Sequence, residues 1–341
     1  MGITIAGSTI AGMFTAAAFC TALPIILLLV WLKKTGAKAM PFFVGAGIFI
    51  LFALILEQIL HTFCMVLDNP VSRVIKSSVV LYTLYGGLAA GVFEETGRFV
   101  AFKVMKSRAS RETAITYGIG HGGIESILVA GMNMTVYGVI ALLVNRGGLS
   151  AAIPIIGDEA TAQMVVASIA ATTPVACFYT CWERISAVIL HIALSVLVFR
   201  AVHEPGKGWL YPLAILLHAG LDFIAVLFQQ QVISSLMITE LMISIFAILV
   251  AVFAWRQYRA MPAAVPDGQP GKLTGSVIAT VFLAVYFLLY AGVVAIIPGI
   301  PVWVKVLFGV IALGGGAVLI AMLVQRMREV RSGELDDLDK Y

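Results

Sequence analysis

The chain has 341 residues, of which 61% are hydrophobic and 12% charged, with a mean hydropathy of +1.02 and a formal net charge of +4. A soluble domain carries about 25% charged residues. This composition therefore excludes a soluble enzyme and a nucleic-acid-binding module, and it implies an all-α, polytopic transmembrane helix bundle whose constant partner is membrane lipid.

Apolar runs long enough to cross a bilayer follow one another along the chain. The first, residues 10–32, ends at Lys33 and Lys34 and has no basic segment before it, so it reads as a retained span and not as a signal peptide. Further runs fall at 40–63, 78–102, 113–144, 176–200, 208–230, 236–255, 275–298 and 302–325, which predicts nine spans. The stretch 146–175 carries Asp158 and Glu159 between apolar pieces and reads as an interfacial hairpin or a short re-entrant element. Residues 261–274 are rich in Pro and Gly and read as a cytoplasmic linker. They divide a membrane-embedded bundle, 1–260, whose site-bearing spans lie in 78–230, from a two-span hairpin with a short charged tail, 275–341. When the loops are assigned to alternate sides, sixteen basic residues fall on one side and four on the other. The positive-inside rule then puts the N-terminus outside and the C-terminus in the cytoplasm. The four cysteines lie in or beside apolar runs and read as small buried hydrophobes.

Ionisable groups within these spans are costly, and default to functional hypotheses. "GVFEETGRFV", residues 91–100, places Glu94, Glu95 and Arg98 in the third span. The fourth carries His121 and Glu125, the fifth His191, the sixth His218 and Asp222. Counted from the basic ends at about 1.5 Å per residue, Glu94, Glu95, His121, His191 and His218 share one depth. Glu125 and Asp222 each follow a histidine at i+4, on the same helix face. Consecutive helices are usually neighbours, so the groups are expected to meet in the bundle interior. A carboxylate beside imidazoles could activate water as a general base; equally, two or three histidines with a carboxylate could hold Zn²⁺. Arg98 is placed to pin one glutamate and leave the other reactive. Glu57, His61, Glu183 and Arg184 lie toward the outer halves of their spans and read as structural pairs.

The combination of "EETGR", "YGIGH", the lone histidine of "AVILHIALS" and "HAGLD" resembles the superfamily of CAAX prenyl endopeptidases, over roughly residues 80–225. It is most similar to the YhfC family of intramembrane metalloproteases, with PrsW proteases and the APH subunit of gamma-secretase more distant. Two residues separate Glu95 from Arg98 where the prenyl endopeptidases have three, and Tyr117 stands where they have Phe. The resemblance implies a protease of the bacterial cytoplasmic membrane that cuts a membrane-associated polypeptide near the cytoplasmic side. Glu94 or Glu95 would activate water, His121 would position the water or bind a metal, and His218 and Asp222 would hold a metal or polarise the scissile carbonyl. His191 would join the same site and Arg98 would be structural. This makes Glu94, Glu95, His121, Glu125, His218 and Asp222 the candidate catalytic residues, and His121, His191 and His218 the candidate metal ligands. A metal-free glutamate mechanism stays open. The alternatives are a non-catalytic scaffold, as the APH relative suggests, and a proton- or cation-coupled transporter, against which the absence of an inverted repeat counts.

Overall fold

A computed structural model describes residues 3–105 and 110–261, together with positions 306 and 310. The described residues are helical with no strand. The predicted linker 261–274 beyond residue 261 and the predicted span 275–298 lie outside them, as does the predicted span 302–325 apart from those two positions.

In chain order the helices are α1 (Gly7–Thr35), α2 (Met40–Val66), α3 (Pro70–Lys76), α4 (Val79–Val104), α5 (Arg111–Gly147), α6 (Glu159–Ala171), α7 (Pro174–His203), α8 (Leu210–Gln229) and α9 (Leu236–Ala260). Six of them, α1, α2, α5, α7, α8 and α9, are long and apolar enough to cross a membrane, and a seventh crossing is made if α3 and α4, bent by 109°, count as one. The chain is thus an integral membrane protein. Exposed Ile245, Leu249 and Val252 on α9 are the lipid-facing surface such a helix requires. Residues 146–175 form a 3-10 turn (Leu149–Ala151), a single α turn (Ile153–Ile156) and α6. At 13 residues α6 is shorter than the roughly 20 a crossing needs.

Helix starts follow local chemistry. Thr173 caps α7 by accepting from Ala176 N (3.1 Å), and Pro174 occupies the first turn, where its missing N–H costs nothing. Asn69 and Ser72 form a reciprocal capping box on α3. Asp158 caps α6 through Thr161 N (2.9 Å), and the Thr161 side chain, together with this backbone bond, holds its carboxyl below the usual range. Three π-helical stretches lie in these helices: Phe52–Glu57 in α2, ending on Glu57, Thr62–Val66 at the end of α2, and Ser126–Gly131 in α5, beginning after Glu125. Such bulges are frequent at functional sites.

The described residues up to 261 divide into two compact units, 3–11 with 135–172, and 12–105 and 110–134 with 173–261. In the first, Asn145 clamps Ile5 by accepting from its N–H and donating to its carbonyl, both at 2.8 Å. In the second, α4 packs on α8, α7 and α2, while α5 packs on α2 and α7, and α7 on α9. Glycine sets two of these approaches. A Cβ on Gly91 would lie 2.7 Å from the Ile215 carbonyl oxygen across the α4–α8 contact, and one on Gly122 would lie 2.9 Å from His191 Cβ. Any larger residue would push the histidine layer apart.

Candidate active site

Four helices of the second unit bring their polar residues together. Glu94 and Glu95 come from α4, His121 and Glu125 from α5, His191 from α7, and His218 and Asp222 from α8. The ring centres of His121 and His191 are 5.1 Å apart, and those of His191 and His218 are 5.3 Å apart.

The two adjacent glutamates do different jobs because they leave α4 about 100° apart. Glu95 is fully buried: Arg98 Nε lies 3.1 Å from its Oε2, and His218 Nδ1 donates to its Oε1 at 2.8 Å. Glu94 points to the centre of the layer, where its Oε2 accepts from His121 Nε2 (2.8 Å). Arg98 also donates to the His191 carbonyl and to Ser195 Oγ, both at 2.6 Å, so it ties α4 to α7. Glu125 Oε2 lies 2.5 Å from His191 Nε2 as an ion-pair contact, while its Oε1 accepts from Arg184 Nη1 (2.8 Å), and Arg184 also bonds Glu183. Asp222 Oδ2 stands 3.6 Å from His218 Nε2, with 26% of its side chain exposed.

Among the described residues, one group converges tightly enough for a metal ion: donor atoms of Glu94, His191 and His218 lie within 4.8 Å of one another. The surroundings fit that role. Each imidazole has a carboxylate on one nitrogen, Glu125 on His191 Nε2 and Glu95 on His218 Nδ1, and so presents the lone pair of the other nitrogen. Carboxylate–histidine pairs of this kind orient metal ligands. One group opposes it, Arg98 Nη2 at 3.2 Å from His191 Nδ1. Of the three expected ligands, His191 and His218 belong to this group. His121 is bonded to Glu94 instead, and its Nδ1 has no hydrogen-bond partner.

A cavity of about 840 Å³ reaches the layer, lined there by Glu94, Glu125, His191, His218 and Asp222. Glu95 and His121 are not in its wall. Glu57 pairs with His61 (3.2 Å) and Glu183 with Arg184, the outer pairings expected from their positions. Sequence reasoning missed three features. Arg184 reaches inward to Glu125; Ser195, at i+4 from His191, completes the Arg98 cradle; Glu240, an isolated carboxylate near the start of an apolar helix, lines the cavity.

Fold and site define a polytopic helical membrane protein with a buried carboxylate–histidine centre that can hold a metal. The chain belongs to the YhfC intramembrane metalloprotease family, whose model matches residues 19–243. It is 34% identical over 229 residues to the uncharacterized membrane protein YhfC of Bacillus subtilis strain 168, covering 65% of this chain and 86% of that protein. No solved structure matches it.

Proposed function

We propose that the protein is an intramembrane metalloendopeptidase, hydrolysing peptide bonds of a membrane-associated polypeptide. One observation carries the reading: Glu94, His191 and His218 converge at the inner end of a cavity of about 840 Å³ within a membrane bundle. Two imidazoles and one carboxylate with an open fourth position are a set used by zinc peptidases. Zn²⁺ held there would polarise the scissile carbonyl and lower the pKa of a bound water.

The chain's own groups then divide the work. His121 anchors Glu94, whose carboxylate joins His191 and His218 in the ligand set. Glu125 and Glu95 hold the two imidazoles in the tautomers that present a lone pair inward. Asp222, the partly exposed carboxylate on the cavity side of His218, takes the proton of the attacking water and returns it to the leaving amine. Glu95, with both oxygens engaged and no cavity surface, is a positioning residue.

The topology that accompanies this reading has nine spans, with the N-terminus outside and the basic helix ends in the cytoplasm of a bacterial cell. Residues 1–260 form the catalytic-type bundle, 261–274 a linker and 275–341 a terminal hairpin. The layer lies about three helical turns from the basic ends, so the scissile bond sits in the cytoplasm-facing half. The scaffold reading draws on one observation, the ion pair Arg98–Glu95 with the Ser195 and His191 bonds, which would fix helix packing without any chemistry.

Metal analysis with two variants tests the proposal. Purified protein should carry stoichiometric Zn²⁺. His218→Ala should lose it, while Asp222→Asn should keep it and lose about 10²–10⁴-fold in cleavage of co-expressed single-span reporter polypeptides. A metal-free wild type sinks the metalloprotease, and cleavage untouched in both variants sinks the protease and favours the scaffold.

A further inference from the structure

The mechanism uses only the inner end of the cavity. Its outer part is walled by the helix ends that lie away from the basic residues: Tyr82 and Tyr85 early in α4, Gln229 at the end of α8, and Glu240 in the second turn of α9. Three carboxylates line this part. Glu183 is bonded to Arg184, and Glu57 to His61, whose other nitrogen meets Tyr85 Oη at 2.6 Å. Glu240 is different. It is 5% exposed, it lines the cavity, and its Oε2 has no hydrogen-bond partner. Arg184 is the one Arg or Lys among the described lining residues, and it is already divided between Glu125 and Glu183. Glu240 thus feels the Arg184 charge without bonding to it, and a buried carboxylate oxygen without a partner, beside a cavity at membrane depth, has the standing of a ligand-binding group.

We infer that the outer part of the cavity is a subsite for a cationic side chain, a lysine or arginine of the polypeptide substrate, which enters from the face opposite the basic helix ends with Glu240 as its counter-ion. The polypeptide nature of the ligand rests on the protease reading. An organic cation suits the site better than a metal ion, because the outer carboxylates do not form a converging donor group; among the described residues that arrangement occurs at Glu94, His191 and His218. Carboxylates spread along a wall with Tyr82 and Tyr85 suit a long flexible chain, whose charge can also rest against a ring face. Among the described residues, the basic side of the layer is closed by aromatic packing. Below the histidine layer the rings of Phe102, Tyr117 and Phe199 pack at 4.7 and 5.2 Å, are 0–3% exposed, and are absent from the cavity wall.

The test uses full-length Asp222→Asn protein in detergent and fluorescent apolar 20-residue peptides, each with one lysine at a successive position, against the same peptide with norleucine. At the best position lysine should bind about tenfold more tightly than norleucine. Glu240→Gln, on the same background, should reduce that preference to within about twofold, with norleucine binding and Zn²⁺ content unchanged. Equal affinity for all peptides, or a preference that survives Glu240→Gln in folded protein, overturns the subsite. A second measurement does not depend on that variant. Gln229→Cys, in a background with the native cysteines replaced, should react with a membrane-impermeant maleimide in intact cells and be protected by the lysine peptide. Reaction only in inverted vesicles overturns the entry face. Lysine preference without cleavage by the wild type would sink the protease alone, and cleavage without lysine preference would sink the subsite alone.

Discussion

From the histidine layer, the bundle runs toward two unlike ends. Toward the basic helix ends it is packed: Phe102 closes against Tyr117 and Phe199, and Glu112 and Arg111 meet Tyr258 beyond them. Toward the opposite ends it is hollow and acidic, with Glu57, Glu183 and Glu240 around the cavity. Helices α4, α5, α7 and α9 contribute to both halves, so side chains along the same helices make much of the difference. Aromatic rings at close-packed positions make a floor that gives the layer a rigid, water-excluding back. Small residues in the other half, including Gly86, Ala90, Ala187 and Ala225, leave the volume in which a substrate could lie. A reactive layer needs both: one side to hold the groups still, the other to admit a chain and water.

The largest expected effect breaks the join between layer and floor. Arg98→Ala would strand Glu95 as a buried charge and remove the bonds to Ser195 and to the His191 carbonyl. Removing one partner of a buried ion pair costs about 3–5 kcal/mol. Denaturant unfolding in detergent should show a loss of that size. A loss under about 1 kcal/mol would mean that water reaches Glu95 and that the packed half is not dry.

The next variant opens the floor itself. Phe102→Ala leaves a cavity among Tyr117 and Phe199, and truncation of a buried Phe costs about 3–5 kcal/mol, at the lower end here if the neighbouring rings relax inward. If the floor is the barrier, the variant should also let a membrane-impermeant thiol reagent reach a cysteine at Leu190 from the basic face, which the wild-type floor should prevent. Unchanged labelling with unchanged stability would remove the contrast between the two halves.

Much of this was legible before the structure. The described spans fall where apolar runs fall, because about 20 residues of apolar surface are needed to cross hydrocarbon. The common depth of Glu94, His121, His191 and His218 was legible because helical rise is constant. Rotation about each helix axis was not. Which glutamate faces the cavity, that His121 binds Glu94 and does not join the converging donor group, and that Arg184 reaches Glu125 all depend on how helices turn against their neighbours. The π-helical stretches at Phe52–Glu57 and Ser126–Gly131 shift that rotation and have no pattern in the sequence. Glu240 went unremarked because a single carboxylate close to a helix start looks like an interfacial residue until the cavity beside it is seen.

A smaller effect separates holding a ligand from being one. Glu125→Gln keeps the size of the side chain but weakens its grip on His191 Nε2 and on Arg184. Loss of an outer partner of a metal-binding histidine weakens metal binding by about 10–100-fold. Zn²⁺ titration against a chelator should show that shift, while the unfolding midpoint of the metal-free protein moves little. If the metal-free protein is destabilised and Zn²⁺ affinity is unchanged, Glu125 serves helix packing, and the layer belongs with the floor instead of with the cavity.

The smallest effect has the least obvious sign. Tyr117 is fully buried in the floor, its ring 4.7 Å from Phe102, and its hydroxyl has no hydrogen-bond partner. The resembling prenyl endopeptidases carry Phe at the matching position. A buried hydroxyl without a partner is a cost to folding, and removing it with no change of shape is neutral or favourable. Tyr117→Phe should therefore leave stability unchanged or raise it by up to about 1 kcal/mol. It should not change Zn²⁺ binding, because the ring that stacks on His121 at 5.8 Å is retained. A loss of about 1 kcal/mol or more would mean that the hydroxyl is hydrated in the membrane. Water would then stand on the basic side of His121, next to its unpartnered Nδ1, and the floor would be a second way into the layer.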